Sequence, residues 1–228
     1  MAIDGSAVIP RPRARADKPR VPKSLPSGSV ESRLFATGAR RVGGVDEVGR
    51  GAWAGPLTVG VAVVTKRSLY ELPEGVNDSK MLTPEERSAL FDPLRTSLVD
   101  HAIGHASALE CDELGMTAAQ RLACRRALES LHRPVDALIL DGNFNFSDHP
   151  GASTLIGADR LSLVVAAASV LAKVTRDTLM IECAPEHPPY RFERNKGYPS
   201  PEHKDALASF GMSAIHRQSW AFAANLLD

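Results

Sequence analysis

The sequence predicts a mixed α/β fold in which helices cover a central sheet. Two apolar, β-branched runs, one starting at Val42 and one spanning Leu57–Val64, have the length of buried strands and are joined by a turn rich in Gly and Pro. A third strand follows, and two further strands then alternate with helical segments, an order that is typical of such a fold. With 228 residues, of which 43% are hydrophobic, the chain is long enough for one domain with a sizeable core.

The charges are unevenly distributed along a chain whose net charge is zero. Residues 1–41 contain nine Lys or Arg and three acids, which leaves 18 of the 27 basic and 24 of the 27 acidic residues for the remainder. Residues 1–30 also contain five prolines, so they are predicted to form a disordered arm ahead of a folded domain over 31–228. A basic arm is compatible with loose contact with nucleic acid, and equally with a solvated tail that has no partner.

The three cysteines and the lack of a leader segment predict a cytoplasmic protein. Cys111, Cys124 and Cys183 are odd in number and form no Cys-x-x-Cys pair, which favours a reducing compartment without disulfides or a zinc cluster. The N-terminus lacks an apolar stretch of signal-peptide length, and the longest apolar run, 161–172, is too short to span a bilayer. No membrane association is expected, and a monomer is the expected state.

The first strand ends on two adjacent carboxylates, Asp46 and Glu47. Successive strand residues point to opposite faces, so only one of the two can face a given side unless the strand bends. Carboxylates are rarely buried unless they are paired or bind a metal. A turn-capping Asp beside a solvent-facing Glu remains the alternative explanation.

A Gly-Arg-Gly turn follows these acids. Gly49 and Gly51 flank Arg50 and leave the backbone without Cβ atoms on either side of a cation. Such a backbone can bring its N–H groups close to a phosphate or a sugar hydroxyl. Most Gly-x-Gly sequences are only tight turns, and Arg50 could simply pair with an acid.

Between Thr83 and residue 131 the sequence predicts a helix, a strand and a second helix. Thr83 is a suitable N-cap, Pro84 suits the first helical position, and acids follow in the first turn, so a helix is predicted to about Leu94. A third strand is predicted over 98–108. A helix is predicted over 112–131, because its apolar side carries Leu114, Ala118, Leu122 and Leu128.

The remaining third of the sequence contains two short strands and several helices. Strands are predicted over 135–140, directly before Asp141-Gly142-Asn143, and at 154–156. The alanine-rich helix predicted over 161–182 can pack closely on a sheet. From about residue 185 a helical extension is predicted, with a proline-rich break at 185–189, a loop at 195–199 and helices at 201–210 and 219–227.

Four acids form a candidate metal site. Asp141 closes a buried strand as Asp46 does, and the ends of neighbouring central strands converge in space; Asp159 precedes the long helix. Four oxygen donors without a Cys/His cluster favour Mg²⁺ or Mn²⁺ over zinc. Two such ions about 4 Å apart could stabilise both the attacking and the leaving oxygen of a phosphodiester displacement. Asp141 alone is better explained as a turn residue, whereas the four acids together favour the metal site.

Five motifs give the chain a family resemblance over residues 40–220. It resembles the type 2 ribonucleases H, bacterial ribonucleases HII in particular, in the order and spacing of Asp46-Glu47-Val48-Gly49-Arg50-Gly51, Asn77-Asp78-Ser79-Lys80, Asp141-Gly142-Asn143, Ala166–Asp177 and Lys196-Gly197-Tyr198. The resemblance implies a ribonuclease H-like fold with a five-stranded mixed sheet. It also implies hydrolysis of RNA in RNA–DNA hybrids and incision 5′ of single ribonucleotides in duplex DNA, leaving 5′-phosphate and 3′-hydroxyl ends.

The resemblance also implies roles for individual residues. Metal ligands would be Asp46, Glu47, Asp141 and Asp159. The turn Gly49-Arg50-Gly51 would read the ribose 2′-hydroxyl, and Tyr198 would stack on the sugar of the following deoxynucleotide. Further substrate contacts would come from Lys80, Asn143, Ser169 and Lys173. The sequence departs from the family at Gly157, where a Lys usually lies two residues before the aspartate, and this puts the electrostatics around Asp159 in doubt.

Two other functions remain open at this stage. One is a nuclease of the same fold that cuts long hybrids without a preference for the RNA–DNA junction; the other is a catalytically silent nucleic-acid-binding module. Several polar residues also have ordinary structural explanations. Lys173 with Arg176-Asp177 could be an ion-pair network at a helix end, and His203 and His216-Arg217 could serve packing or helix-dipole roles.

Overall fold

A five-stranded mixed sheet forms the centre of the computed structural model, which describes residues 26–220. The strands are β1 (Val42–Val48), β2 (Leu57–Val64), β3 (Asp100–Ala106), β4 (Ala137–Asp141) and β5 (Ala152–Leu155), in the spatial order β3-β2-β1-β4-β5. β2 is antiparallel to both β1 and β3, whereas β4 is parallel to both β1 and β5. The predicted mixed sheet is confirmed, with β1 at its centre.

Seven helices surround this sheet among the described residues: α1 (Ser29–Ala36), α2 (Pro84–Ser97), α3 (Ala108–Leu114), α4 (Met116–Glu129), α5 (Leu163–Glu182), α6 (Phe192–Asn195) and α7 (Pro201–Phe210). The predicted start of α2 is confirmed, because Thr83 and Glu86 form a reciprocal capping box there. Short 3₁₀ turns span Ser68–Glu71, Ser79–Met81, Ala158–Arg160, Ala184–Glu186 and Pro188–Tyr190. None of the helices in this part of the chain is long and apolar enough to cross a membrane.

Helix α5 lies directly on one face of the sheet, and α4 lies on the other. Glycines make this close approach possible. A Cβ atom at Gly44 would lie 2.4 Å from the carbonyl carbon of Val164, and one at Gly60 would lie 2.6 Å from the carbonyl oxygen of Ala168. On the opposite face, a Cβ at Gly104 would lie 2.0 Å from the carbonyl oxygen of Ala123. The alanine-rich α5 therefore packs backbone to backbone, as its composition predicts.

The folded part begins earlier than the predicted boundary. Helix α1 starts at Ser29, and Glu31 is fully buried. The Oε1 atom of Glu31 accepts hydrogen bonds from the Ser162 hydroxyl (2.6 Å) and from the Val164 N–H (2.9 Å), so this side chain caps the start of α5. Of the arm predicted over 1–30, residues 1–25 lie outside the described residues.

Two predicted helices differ from the structure. The helix predicted over 112–131 is broken into α3 and α4 by Gly115, whose φ of 74° belongs to the left-handed region. The prediction missed the break because an apolar stripe continues across it. Of the helix predicted over 219–227, Ser219 and Trp220 are not helical, and the rest lies outside the described residues.

The C-terminal extension packs on the turn that follows β1. Its own apolar cluster joins Ala54 of that turn and Met180 of α5 to Tyr190, Phe192, Ala206 and Leu207. The main chain adds to this contact, since the N–H groups of Trp53 and Ala54 both donate to the carbonyl of Gly197 (2.8 and 3.2 Å). The extension therefore holds the segment around Tyr198 against the Gly-Arg-Gly turn.

Candidate active site

The predicted carboxylates meet at one end of the sheet. Val45 of β1 pairs with Leu140 of β4, so Asp46 and Asp141 are the next residues on two adjacent parallel strands. The Oδ1 atom of Asp141 accepts a hydrogen bond from the Ala158 N–H (2.7 Å), which brings the 3₁₀ turn that carries Asp159 to the same edge. Acids more than a hundred residues apart in sequence thus lie around one strand end.

Burial and mutual repulsion disfavour the charged forms of these acids. The pKa of Asp46, whose side chain is 5% exposed, is raised well above its ordinary value by burial and by the charges of Glu47 and Asp141. Burial likewise raises the pKa of Glu47, while Arg50 partly offsets the effect. The pKa of Asp159 is raised to about 6 by burial and by the neighbouring Asp78 and Asp141.

Lys80 is the cation placed among these carboxylates. Its Nζ atom lies 3.8 Å from Oδ2 of Asp159. Burial lowers the pKa of Lys80, but the carboxylates of Asp46, Asp78, Asp159 and Asp141 outweigh that effect and raise it. Position 157, two residues before Asp159, is a glycine, and Lys80 supplies positive charge close to Asp159.

The donor set suits a hard divalent cation. The carboxylates lie around one strand end in partly buried positions, where their negative charges repel one another. Mg²⁺ or Mn²⁺ would neutralise these charges, and both ions prefer oxygen ligands. Within residues 26–220 no group of three or more His, Cys, Asp or Glu side chains has the spacing needed to hold a metal ion. The fit therefore rests on donor chemistry and charge. Asp46, Glu47, Asp141 and Asp159 are the residues that would hold the ions.

The Gly-Arg-Gly turn lies beside the acids and is tightly enclosed at its first glycine. Gly49 has a φ of 85°, and a Cβ there would lie 2.2 Å from Nε of Arg176 and 2.7 Å from the carbonyl oxygen of Pro56. At Gly51 a Cβ would meet nothing within 4 Å. The side chain of Arg50 is exposed. The turn therefore needs glycine at position 49 for steric reasons and leaves Arg50 free to reach a ligand.

Two buried arginines hold this turn through its carbonyl groups. Arg217 is 0% exposed and donates to the carbonyl oxygens of Gly49 (2.7 Å), Arg50 (3.2 Å) and Gly55 (3.1 Å). Its pKa is lowered to about 10, chiefly by burial. Arg217 therefore positions the turn, which differs from the helix-end role open to it in the sequence.

Arg176 joins the turn to the loop that carries Tyr198. It is also 0% exposed, and it donates to the carbonyl oxygens of Pro56 (2.8 Å), Ala54 (3.0 Å) and Lys196 (2.8 Å). The ion pair on this helix is formed instead by Lys173 and Asp177, at 2.7 Å. Arg176 is thus a structural link rather than a member of a surface charge network.

Tyr198 contacts the turn directly. The N–H of Gly49 donates to the Tyr198 hydroxyl (3.0 Å), and the ring lies 5.6 Å from Nζ of Lys173 and 5.3 Å from the guanidinium carbon of Arg176. The structure therefore places Tyr198 beside both the Gly-Arg-Gly turn and a predicted phosphate-binding lysine.

The other predicted substrate-binding residues occupy different positions. Asn143 is exposed and lines a cleft of about 240 Å³ together with Glu47, Arg50, Gln120 and Asp141. Ser169 is 2% exposed; its hydroxyl donates to the Ala166 carbonyl (3.0 Å) and accepts from the Ser79 N–H (3.1 Å). Ser169 thus supports the turn that carries Lys80, and direct contact with a phosphate stays a prediction.

Sequence reasoning missed the roles of Asp78, Arg176, Arg217 and two histidines. Asp78 is fully buried and accepts hydrogen bonds from the Lys80 N–H (2.9 Å) and from Nε of Arg160 (3.3 Å), so it shapes the lysine turn. Its position beside Lys80 was the only local signal. Arg176 and Arg217 had no local signal in the sequence, because most of their acceptors are main-chain carbonyls far away in sequence.

A pair of buried histidines anchors the Tyr198 segment. His203 Nδ1 lies 2.9 Å from the carbonyl oxygen of Tyr198, so this nitrogen carries the proton and His203 Nε2 accepts. His216 Nε2 lies 2.9 Å from it and donates, while His216 Nδ1 accepts from the Ser213 N–H (2.9 Å). One continuous chain of hydrogen bonds, with both rings neutral, therefore ends on the Tyr198 backbone.

We expect this pair to make folding sensitive to acid. The pKa of His216 is lowered to about 4 by burial and by the adjacent His203, whereas in the unfolded chain it titrates near 6.5. Between pH 6.5 and 4, His216 binds a proton in the unfolded chain but stays neutral in the folded chain. The free energy of unfolding therefore falls as the pH drops from about 6.5 towards 4. Urea unfolding at neutral and mildly acidic pH should show the stability gap between wild type and His216→Asn shrinking by roughly 1–2 kcal/mol on acidification. A constant gap would contradict the neutral pair.

Comparison with known proteins identifies the family. Residues 43–223 match the family model for ribonuclease HII. Ribonuclease HII of Streptomyces avermitilis is 50% identical over 204 residues, which cover 89% of this chain and 86% of the relative. The enzyme of Streptomyces coelicolor is 48% identical with the same coverage. Among solved structures, ribonuclease H2 of Pyrococcus horikoshii OT3 superposes with a TM-score of 0.72 at 31% identity, covering 82% of this chain and 96% of that one.

These matches extend over most of both chains and agree with the observed five-stranded sheet. They confirm the predicted ribonuclease H-like fold and support ribonuclease H activity. The chain belongs to the ribonuclease HII family and is a type 2 ribonuclease H.

Proposed function

We propose that this enzyme nicks duplex DNA on the 5′ side of single embedded ribonucleotides, in addition to cutting the RNA strand of hybrids, and leaves 5′-phosphate and 3′-hydroxyl ends. In the cell this activity would serve ribonucleotide removal from DNA and RNA primer removal. Asp46, Glu47, Asp141 and Asp159 would hold two divalent ions, Mg²⁺ or Mn²⁺. Bound there, the ions would stabilise negative charge on the attacking and leaving oxygens.

One contact carries the proposal, the 3.0 Å hydrogen bond from the Gly49 N–H to the Tyr198 hydroxyl. A ribonucleotide differs from its DNA neighbours by one 2′-hydroxyl, so a junction sensor must read that group and the following sugar together. The bond fixes the turn proposed to read the hydroxyl against the ring proposed to read the sugar. Arg176 and Arg217 reinforce this arrangement by binding the carbonyls of both segments.

The protein groups around the acids have distinct tasks in this proposal. The exposed Arg50 and the half-buried Lys173 would bind phosphates on either side of the ribose. Lys80, held by the Asp78 turn, would offset the carboxylate charges and draw a phosphate towards them. The buried position of Asp46 would keep bulk water away from its carboxylate and so strengthen the attraction of that carboxylate for a divalent ion.

The direct test compares three labelled duplexes: DNA with one ribonucleotide, all-DNA, and a long RNA–DNA hybrid. Each is incubated with Mg²⁺, with Mn²⁺ and with chelator. We expect a metal-dependent nick 5′ of the lone ribonucleotide, cutting of the hybrid, and no cutting of DNA. Cutting of the hybrid alone would refute junction recognition. No cutting in any reaction would favour the silent binding module.

Tyr198→Phe is expected to weaken recognition of the junction more than cleavage itself. The change removes the hydroxyl that accepts from Gly49 and keeps the ring, so we expect kcat/KM on the single-ribonucleotide duplex to fall about tenfold, or about 1.4 kcal/mol. On the long hybrid the effect should be smaller. Steady-state kinetics on both substrates gives the ratio.

Tyr190→Phe is the matched control for this change. Its hydroxyl donates to the Gly211 carbonyl (2.9 Å) in the C-terminal cluster, away from the Gly-Arg-Gly turn. The control should leave the ratio of the two kcat/KM values at the wild-type level. An unchanged ratio in Tyr198→Phe would contradict the role of its hydroxyl.

A further inference from the structure

A second cleft, of about 330 Å³, lies outside the acidic centre between α2, α5 and the segment around α6. Its lining contains four cationic side chains, those of Arg87, Lys173, Arg194 and Lys196, and one acidic side chain, that of Asp177. The formal charge of this lining is therefore +3. We call this cleft the basic groove.

The cationic groups of the groove are held by different means. Arg87 donates to the carbonyl oxygens of Ser79 and Leu82, both at 2.6 Å, so its guanidinium is fixed at the groove wall. Lys173 is paired with Asp177. Lys196 donates to the carbonyl of Glu193 on the adjoining helix. Arg194 is exposed, and its guanidinium donates no hydrogen bond within residues 26–220.

The short helix that carries Arg194 is bounded by strained residues. Arg191 (φ 56°) and Lys196 (φ 53°) both adopt the left-handed conformation that favours glycine, and they are the residues directly before and after α6. Non-glycine residues in this region carry a backbone cost that persists where the surrounding structure or a function demands it. At position 196 glycine would adopt this conformation without strain, but the chain has a lysine there, and this lysine lines the groove.

The groove is continuous with Tyr198. Lys173 lines the groove, and its Nζ atom lies 5.6 Å from the Tyr198 ring. On its other side the Tyr198 hydroxyl contacts Gly49, next to the acids. A strand that leaves the acidic centre past Tyr198 therefore enters the basic groove. The lining also contains the apolar side chains of Val174 and Ile181, against which a sugar can pack.

We infer that the basic groove binds the sugar–phosphate backbone of the cleaved strand on the 3′ side of the ribonucleotide. The direction rests on the proposed function, in which Tyr198 contacts the deoxynucleotide that follows the ribonucleotide. Phosphates match the surplus of cations, and two of these cations are Lys196 and the exposed Arg194. The enzyme thus holds DNA downstream of the junction as well as the junction itself.

The test measures binding without cleavage, by fluorescence anisotropy in chelator. The groove variant combines Arg194→Ala with Lys196→Gly, since glycine removes the cation and relaxes the backbone. The control variant combines Lys66→Ala with Arg125→Ala, two exposed cations outside the groove. The probes are single-ribonucleotide duplexes shortened stepwise from the 3′ or the 5′ side, an all-DNA duplex and a long hybrid.

We expect the groove variant to bind the full-length single-ribonucleotide duplex about tenfold more weakly and to lower the slope of log K against log salt by about two, one for each cation removed. The affinity of wild type should fall as the 3′ side of the duplex is shortened. The affinity of the groove variant, already weaker on the full-length duplex, should change little on the same shortening. Thermal unfolding should be unchanged. Arg194→Glu alone, an exposed charge reversal, should weaken binding in the same direction.

Equal affinity of the groove and control variants on every duplex would overturn the inference. Loss of affinity only on shortening the 5′ side would overturn the proposed direction. Failure of the proposed function has a different signature: wild type would then bind the single-ribonucleotide duplex no better than all-DNA, while the groove variant could still differ from the control on the long hybrid.

Discussion

Replacing Asp46 with Asn is expected to reduce cleavage at least about 1000-fold, which corresponds to about 4 kcal/mol of lost transition-state stabilisation. Asp46 is 5% exposed at the end of the central strand, and its charge adds to those of Glu47 and Asp141. The amide keeps the shape but cannot supply an anionic oxygen to a divalent ion. Single-turnover cleavage of the long hybrid measures the chemical step directly.

Binding and folding should survive this change. Anisotropy in chelator should show an affinity for uncut duplex within about threefold of wild type, because the substitution removes one negative charge and no phosphate contact. Without metal the variant should unfold at the wild-type temperature or above, since one of the repelling buried charges is gone. Mg²⁺ or Mn²⁺ should raise the unfolding temperature of wild type and do so less for the variant.

Asp92→Asn provides the matched control, because this carboxylate is exposed on α2 and pairs only with Arg95 among the described residues. It should keep the wild-type rate and the wild-type response to metal. An Asp46→Asn enzyme that cuts at the wild-type rate would refute the assignment of the metal ligands.

Gly49→Ala is expected to damage both the fold and recognition of the ribonucleotide, whereas Gly51→Ala should damage the fold little. At position 49 an alanine needs a φ of 85° and places its Cβ 2.2 Å from Nε of Arg176. We expect a loss of roughly 2 kcal/mol or more in the free energy of unfolding. Cutting of the single-ribonucleotide duplex should fall by about 100-fold or more, on the scale of losing a positioned backbone donor.

The two glycines form a matched pair for this experiment. A Cβ at Gly51 meets nothing within 4 Å, so the same substitution tests only the need for a bare backbone at the ligand. Urea unfolding and cleavage of both substrates would be measured for each variant. Equal stability of the two variants would contradict the enclosed position of Gly49, and full cutting by both at single ribonucleotides would contradict the role of the turn.

Elements with a complete local signal were predicted correctly. The Thr83–Pro84 start of α2 contains its own capping box, and β2 contains its own run of buried β-branched residues, so neighbouring residues were enough to identify them. The break at Gly115 was missed because one glycine in an apolar stripe is compatible with either a continuous or an interrupted helix. Helix α1 was missed because Glu31 is held by Ser162 and Val164, more than 130 residues away.

The candidate site also has features that local sequence predicts and features that depend on contacts distant in sequence. The sequence by itself determined the donor chemistry: four acids, two of them at strand ends, a Gly-Arg-Gly turn and the ordered motifs that identify the family. These features depend on residue type and short-range order, which a linear chain displays.

Only the tertiary structure decided how these parts are held in place. Arg176 and Arg217 bind backbone carbonyls 20 to 168 residues away, and the histidine pair holds Tyr198 through a carbonyl as well. Every residue has a carbonyl group, so no residue type marks which one an arginine will bind. The choice follows from burial, because a guanidinium enclosed in the core must find acceptors there.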